Sequence, residues 1–253
     1  MNDNNKRPLF SIITATYNAG ITLNDLLQSI LPQKTENVEL IIVDGGSIDD
    51  TVSIIKSYGS IVDYWISEKD NGIYDAWNKG IKVAKGKWIM FVGADDVLLP
   101  NAIENYNELI LNSKDKDVDY ISGKVSYVND NGKIMKLLGS ECSWNKMRKG
   151  MCAAHVASLH NSNLFDEVGL YDLKFKICGD YELLLRKKEK LKSLFLNKTV
   201  AQMKSGGMSF SFAAILETYQ IRKTRQSLVL IPNVIILITN IIGYYLFRFK
   251  NHV

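Results

Sequence analysis

Cysteine, histidine and proline are scarce here, at three, three and four of 253 residues. Cys142, Cys152 and Cys178 form an odd set without CxxC spacing. That pattern argues against a disulfide framework and against a zinc site, and it fits a reducing compartment. The opening MNDNNKRP lacks an apolar core, so no secretory signal peptide is expected and the chain is placed in the cytoplasm or on its face of a membrane. Two phosphate-binding signatures are also missing. GxGxxG is absent, and the nearest approach to GxxxxGK(S/T), residues 80–87, has the wrong spacing and is followed by Trp88 where a hydroxyl is needed. Internal repeats and low-complexity tracts are lacking. The net charge of +4 is mild and gives no reason to expect a nucleic-acid partner.

What is present is ordinary globular composition, 46% hydrophobic and 23% charged, long enough for one large α/β domain or a domain with an appendage. Residues 9–14 (LFSIIT), 38–43 (VELIIV), 63–67 (DYWIS) and 88–92 (WIMFV) read as strands, the last buried on both faces. Between them, residues 22–30 carry apolar positions at helical spacing with Thr22 as N-cap, Asp50 and Thr51 open a helix through residue 57, and residues 76–84 form a third helix. Strands alternating with helices predict a parallel sheet with right-handed crossovers. Three successive strand ends then carry polar loops, at residues 16–18, 44–47 and 93–96. In open α/β sheets ligands bind outside the carboxyl ends of strands. Asp95 and Asp96 end one of these strands, and their alternative role is capping a helix that begins near Pro100.

Beyond Pro100 the pattern loosens. Residues 102–111 suggest a helix, and residues 120–127 alternate like a strand. The NDNG turn at 129–132 then predicts a hairpin with residues 133–138. Residues 182–191 (ELLLRKKEKL) look helical, beginning beside Asp180, for which capping that helix is one reading. The basic clusters RKKEKLK and RKTR read as solvated helix faces.

With no glycine-rich loop to neutralise phosphates, a divalent metal on carboxylates is the other solution, and Asp95 and Asp96 supply hard oxygen ligands for magnesium or manganese. SIITATYNAG (11–20), IIVDGGSIDDT (41–51), SEKDNGIYDAWNKGIKVAKGKWIMFVGADD (67–96) and GLYDLKFKICGDYELLLR (169–186) together resemble glycosyltransferase family 2, the inverting enzymes of the GT-A fold. The match in order and spacing covers roughly residues 9–210, and DNGIYDAWNKG is similar to bacterial members that build capsule, colanic acid or O-antigen. The resemblance implies a mainly parallel, Rossmann-like mixed sheet flanked by helices. Residues 1–215 would form the catalytic domain, with a nucleotide-sugar half at 1–100 and an acceptor half at 101–215.

Residue by residue, the resemblance implies that Thr14, Thr16 and Tyr17 line the nucleoside pocket with Asp44 nearby, and that Asp70, Asn71 and Asn78 contact the donor. The family's Asp-x-Asp metal motif falls on Gly93-Ala94-Asp95, so Asp95 is the expected Mn2+ or Mg2+ ligand and Asp96 a donor-side neighbour. Many members read Asp-Asp-Gly-Ser where this chain has Asp44-Gly45-Gly46-Ser47, so the acid that often contacts uracil is missing at Gly45. Asp180 matches the position of the general base. His155 reads as a core or acceptor-loop residue, with a catalytic role as the alternative, while His160 and His252 carry no signal. The glycine loop at 206–209 resembles one that closes over the donor.

The carboxyl-terminal region, 216–253, is basic and apolar. Residues 228–247 carry no charge and are flanked by RKTR and by Arg248 and Lys250. Such a stretch is just long enough to cross a bilayer, but Pro232, Asn233, Asn240 and Gly243 interrupt it, so lying in the interface or packing against a second copy stays open. Flanking positive charge favours the cytoplasmic face of a bacterial inner membrane. The expected activity is inverting transfer from a nucleotide-sugar, with a UDP-sugar as the expected donor, to a glycan or lipid-diphosphate-linked saccharide. The competing readings are a nucleotidyltransferase and a non-catalytic saccharide-binding module.

Overall fold

Side-chain alternation assigns the buried apolar residues of the central strands to one of two cores. The computed structural model describes residues 7–251 except 130 and 205. Residues 1–6 of the opening segment, Asp130 of the NDNG turn and His252 lie outside the described residues. In chain order the elements are β1 (Phe10–Thr16), α1 (Leu23–Ile30), β2 (Val38–Asp44), α2 (Thr51–Ser57), β3 (Tyr64–Ser67), α3 (Ile73–Val83), β4 (Trp88–Gly93), β5 (Val97–Leu98) and α4 (Ala102–Asn112). There follow β6 (Tyr120–Val128), β7 (Ile134–Leu138), α5 (Trp144–Met147), β8 (Ser158–Asn161), α6 (Ser162–Val168), α7 (Gly179–Leu185), β9 (Ser193–Lys204), α8 (Phe212–Thr224) and α9 (Leu230–Asn251).

One sheet runs β3-β2-β1-β4-β8-β6-β9-β5, with β7 paired to β6. The first four strands are parallel, and β8 is inserted antiparallel between β4 and β6. β6 and β9 run parallel, and β5 closes the far edge antiparallel to β9. Phe10, Ile12, Leu40, Ile42, Met90 and Val92 face a core completed by α1, α2 and α4, while Ile13, Ile41, Val43, Ile89 and Phe91 face one completed by α3, α6 and α7. Burial on both faces explains why these strands are continuous apolar runs. The sheet is the mixed, mainly parallel one expected, and it passes residue 100 without a break.

Four expectations change. Residue 215 falls inside α8, whose Ile221 and Arg222 are fully buried, so that helix belongs to the body of the domain. The helix expected over 182–191 stops at Leu185. Arg186 turns in to Glu182 and to the carbonyls of Val168 and Leu170, and Lys187 reaches Asp119 and Glu167, so these cations are drawn out of a helical face by tertiary partners. Cys142 and Cys152 are joined as a disulfide and only Cys178 is free. The chain turns back through α5, and the Ser140 amide donates to the Cys152 carbonyl, which brings together two cysteines whose spacing carried no motif. Asn101 occupies the N-cap position of α4, with neither Asp95 nor Asp96 at its start.

Candidate active site

The carboxyl ends of β1, β2 and β3 are tied by a single carboxylate. Asp44 is fully buried and accepts from Thr16 Oγ1 at 2.9 Å, Ser47 Oγ at 2.5 Å, Ser67 Oγ at 2.6 Å and the amides of Gly46 and Ser47. Burial works against its ionised form, but the Ser47 and Ser67 hydroxyls and the other donors hold the carboxyl below its usual range. With five donors from the protein, Asp44 organises the loops. The Asn18 amide donates to Ser47 Oγ and its side-chain oxygen accepts from the Ile48 amide, so the first two loops form one rim. Tyr17 stands on that rim, 67% exposed.

Asp70 has a placement the sequence did not reveal. A Cβ built on Gly45 would meet Asp70 Oδ2 at 2.7 Å and the Tyr17 ring at 3.4 Å. The carboxylate of Asp70 therefore lies beside the position left bare by Gly45, and its other oxygen accepts from the Gly72 amide at 2.8 Å. Asn71 turns its amide groups to Asp75.

At the end of β4 the two aspartates separate in role. Asp95 is exposed. Asp96 is buried and accepts from the Gly93 amide at 3.0 Å. Its burial, and next the Asp95 charge, push its carboxyl up to about 8. A Cβ on Gly93 would meet Asp96 Oδ2 at 2.8 Å and Asp95 Oδ1 at 3.0 Å, so the two carboxylates fill the space that a first acid would need. Asp96, expected as a donor-side residue, instead closes the turn. No group of three or more metal-binding side chains occurs among the described residues. One exposed carboxylate fits magnesium or manganese, which keep several waters and are often held by one or two carboxylates plus substrate phosphates.

Asp180 comes from the other half of the chain. It occupies the first turn of α7. Cys178 stands at the N-cap position of that helix, so the alternative capping role of Asp180 is not taken. The Tyr74 hydroxyl of α3 donates to the Ile177 carbonyl at 2.7 Å, accepts from the Gly179 amide at 2.7 Å and lies 3.5 Å from Asp180 Oδ1. Glu217 of α8 accepts from the amides of Lys176, Ile177 and Cys178, and Lys176 Nζ donates to the Asn71 carbonyl. The loop before Asp180 is thus fastened to both the donor-side loop and α8. Burial pushes the Asp180 carboxyl up to about 6, against the pull of the Tyr181 and Asp180 amides and the Tyr74 hydroxyl. His155 Nδ1 lies 3.8 Å from Asp180 Oδ2. Its ring stacks on Phe91 and tilts against Trp77, and burial lowers it to about 3. The imidazole is therefore neutral, and the contact with Asp180 is dipolar rather than an ion pair.

Two residues expected to contact the donor, Thr14 and Asn78, instead face inward. Thr14 is wholly buried within β1, two residues before the strand end, in register with Ile42 and Val92, and its hydroxyl has no hydrogen-bond partner among the described residues. Asn78 is buried, with its side-chain amide donating to the Tyr171 carbonyl and accepting from the Tyr171 amide, both at 2.9 Å. It staples α3 to the segment before α7. Tyr74 and Glu217 were missed. Tyr74 sits inside DNGIYDAWNKG, whose wording does not set its phenol apart, and Glu217 lies 37 residues beyond Asp180 with no local signal.

A family model described as glycosyl transferase family 2 matches residues 11–165. A PGL/p-HBAD biosynthesis glycosyltransferase of Mycobacterium bovis is 30% identical over 185 residues, covering 71% of this chain and 69% of that protein. Among solved structures, Staphylococcus aureus TarS 1–349 in complex with UDP-GlcNAc aligns with a TM-score of 0.68 at 18% identity, over 85% of this chain and 65% of that one. A longer TarS chain is spanned over only 38% of its length. A mannosyltransferase of Pyrobaculum calidifontis, in complex with GDP-Man and Mn2+, aligns with a TM-score of 0.61 at 15% identity, over 92% of this chain and 69% of that one. The chain belongs to glycosyltransferase family 2. It is a glycosyltransferase with the GT-A fold, which sets aside the nucleotidyltransferase and binding-module readings.

Proposed function

We propose that this glycosyltransferase moves a sugar, with inversion, from a UDP-sugar to a glycan or lipid-diphosphate-linked acceptor in bacterial surface-polysaccharide synthesis, at the cytoplasmic face of the inner membrane. The observation that carries the reading is the fastening of Asp180 to the donor-side helix through Tyr74. It couples a carboxylate from the second half of the chain to α3, the helix that follows the Asp70 loop. The similarity to a mycobacterial glycosyltransferase named for PGL/p-HBAD biosynthesis supports a biosynthetic sugar transfer.

In this reading the nucleoside lies along the rim, against the exposed ring of Tyr17. Asp70 provides the carboxylate that a base N–H requires, in place of the acid absent at Gly45. Thr16 and Asp44 hold that rim in shape. Asn71 shapes the turn beside Asp70, with its backbone and side-chain N–H groups donating to Asp75. Asp95 would hold Mn2+ or Mg2+, and such an ion neutralises charge developing on a diphosphate leaving group. Asp180, ionised above about pH 6, takes the proton of the acceptor hydroxyl as its oxygen bonds to the anomeric carbon. The bond to the nucleoside diphosphate breaks on the opposite face, and the electron pair leaves with it. General-base help of this kind contributes about 10²–10⁴-fold.

A thermal-shift screen of UDP- and GDP-sugars with Mn2+ tests the donor assignment. A donor that binds the folded state raises the melting temperature with the logarithm of its concentration. UDP-sugars are expected to shift the wild type and to shift Asp70→Ala much less. A flat response to every UDP-sugar, or an unchanged shift in the variant, would contradict the donor assignment or the role of Asp70 respectively.

A further inference from the structure

Helix α9 has two faces with different surroundings. On its inner side Asn233 is buried, accepts from Arg222 Nε at 2.6 Å and donates to the Tyr219 carbonyl, both on α8. About three turns later the Tyr244 ring lies 6.3 Å from Phe212, and Lys136 of β7 sits over both Phe210 and Phe247. The domain therefore holds the helix near both ends. On its outer side Ile231, Ile235, Ile238, Ile242, Tyr245 and Phe249 recur at steps of four and three residues, each between 51% and 85% exposed. That spacing places them on one face, along about 27 Å of helix at about 1.5 Å per residue. A continuous exposed apolar stripe of this length marks an interaction surface.

Charge identifies what covers it. No aspartate or glutamate follows Glu217, while the exposed Lys223 precedes the helix and Arg248 and Lys250 end it; Arg225 is turned inward to the buried Glu182. Two copies packed antiparallel through this stripe would bring cationic ends together, whereas an anionic lipid surface complements both. The attachments at Asn233 and at residues 244–247 also oppose a crossing, because a helix spanning the bilayer must leave the domain over most of its length.

We propose that α9 lies in the plane of an anionic bilayer surface, with its outward stripe at the boundary of headgroups and acyl chains and its inward face on the domain. The chain is then bound to one side of the membrane and does not cross it. This rests on the membrane contact proposed above and specifies its geometry. Lys136 and the turn at Met208–Phe210 are held beside the same helix, so the glycine loop that follows β9 sits close to the lipid surface.

The test uses the full chain without donor or acceptor, so its outcome is independent of whether sugar transfer is correctly assigned. Purified protein is floated with vesicles of phosphatidylcholine alone or with phosphatidylglycerol added. Flotation is expected only with the anionic lipid, to be lost in Ile235→Glu/Ile242→Glu, and to weaken about fivefold or more in Lys223→Glu. Far-UV circular dichroism and the melting temperature confirm that these surface variants fold. Separately, Gln226→Cys and Asn251→Cys are expressed in bacteria and treated with a membrane-impermeant maleimide, with labelling mapped by peptide mass. Both sites are expected to react in inside-out vesicles and neither in spheroplasts. Labelling of the two ends from opposite sides overturns the in-plane geometry while leaving membrane contact intact. Absence of flotation, with a soluble dimer that the double variant dissociates, overturns both.

Discussion

Burial drives the Asp180 carboxyl up to about 6, while the amides at the start of α7 and the Tyr74 hydroxyl pull it back. The surroundings of that carboxylate are Tyr74 from α3, the neutral His155 and the carboxylate of Glu217 from α8, whose charge adds to the upward shift. Transfer is expected to rise with pH through about 6 and to level off above it, as the base becomes ionised. The stability consequence has the opposite sign. A carboxyl raised above its unfolded value of about 3.9 favours the fold when protonated, and that contribution is lost as pH rises through about 6. Asp180→Asn is therefore expected to melt higher than wild type at pH 7.5, with the difference shrinking toward pH 4. Differential scanning fluorimetry across this range checks the sign. Asp180 was legible in the sequence because it stands in a motif of specific wording. Asp70 beside Gly45 was half legible, since the missing acid could be read but its spatial replacement could not. The inward placement of Thr14 and Asn78 was not legible, because it depends on strand register and on a partner 93 residues away.

Elements β1 to β4 and the helices between them were legible because burial on both faces leaves strong apolar runs, and the loops at their ends followed. Of the later strands, the antiparallel hairpin of β6 with β7 was legible from its turn, but β8 and β9 were not. β8 and β9 mix polar and apolar residues (SLHN and SLFLNKTVAQMK), and their placement depends on pairing with β4 and β6. The end of α7 was misjudged because Arg186 and Lys187 bind distant acids and carbonyls. Close packing of α3 on β1 gives a test at this scale. A Cβ on Gly80 would lie 2.5 Å from Ile13 Cγ2, whereas one on Gly150 meets nothing within 4 Å. Gly80→Ala is expected to cost about 1–3 kcal/mol through overpacking, and Gly150→Ala to be close to neutral. Urea melts of the two variants against wild type measure the difference, and equal midpoints would contradict the packing described.

Across the whole molecule, one sheet joins a donor-side edge to a second half that contributes Asp180, and α8 links that base loop to α9. Glu217 accepts from three amides ahead of Asp180, while Arg222 on the same helix holds Asn233. The sequence disclosed the apolar tail but not this linkage, because Glu217 and Arg222 read as surface charges of an ordinary helix. Single-displacement transfer with Asp180 as base is the central claim. Its most direct test is proton NMR of an α-linked UDP-sugar turned over by wild type and Asp180→Asn with Mn2+ and a bacterial membrane extract as acceptor. A first-formed β-linked product is expected from the wild type, with a rate at least about 10²-fold lower in the variant. An α-linked product, or near-normal turnover by Asp180→Asn, would contradict it.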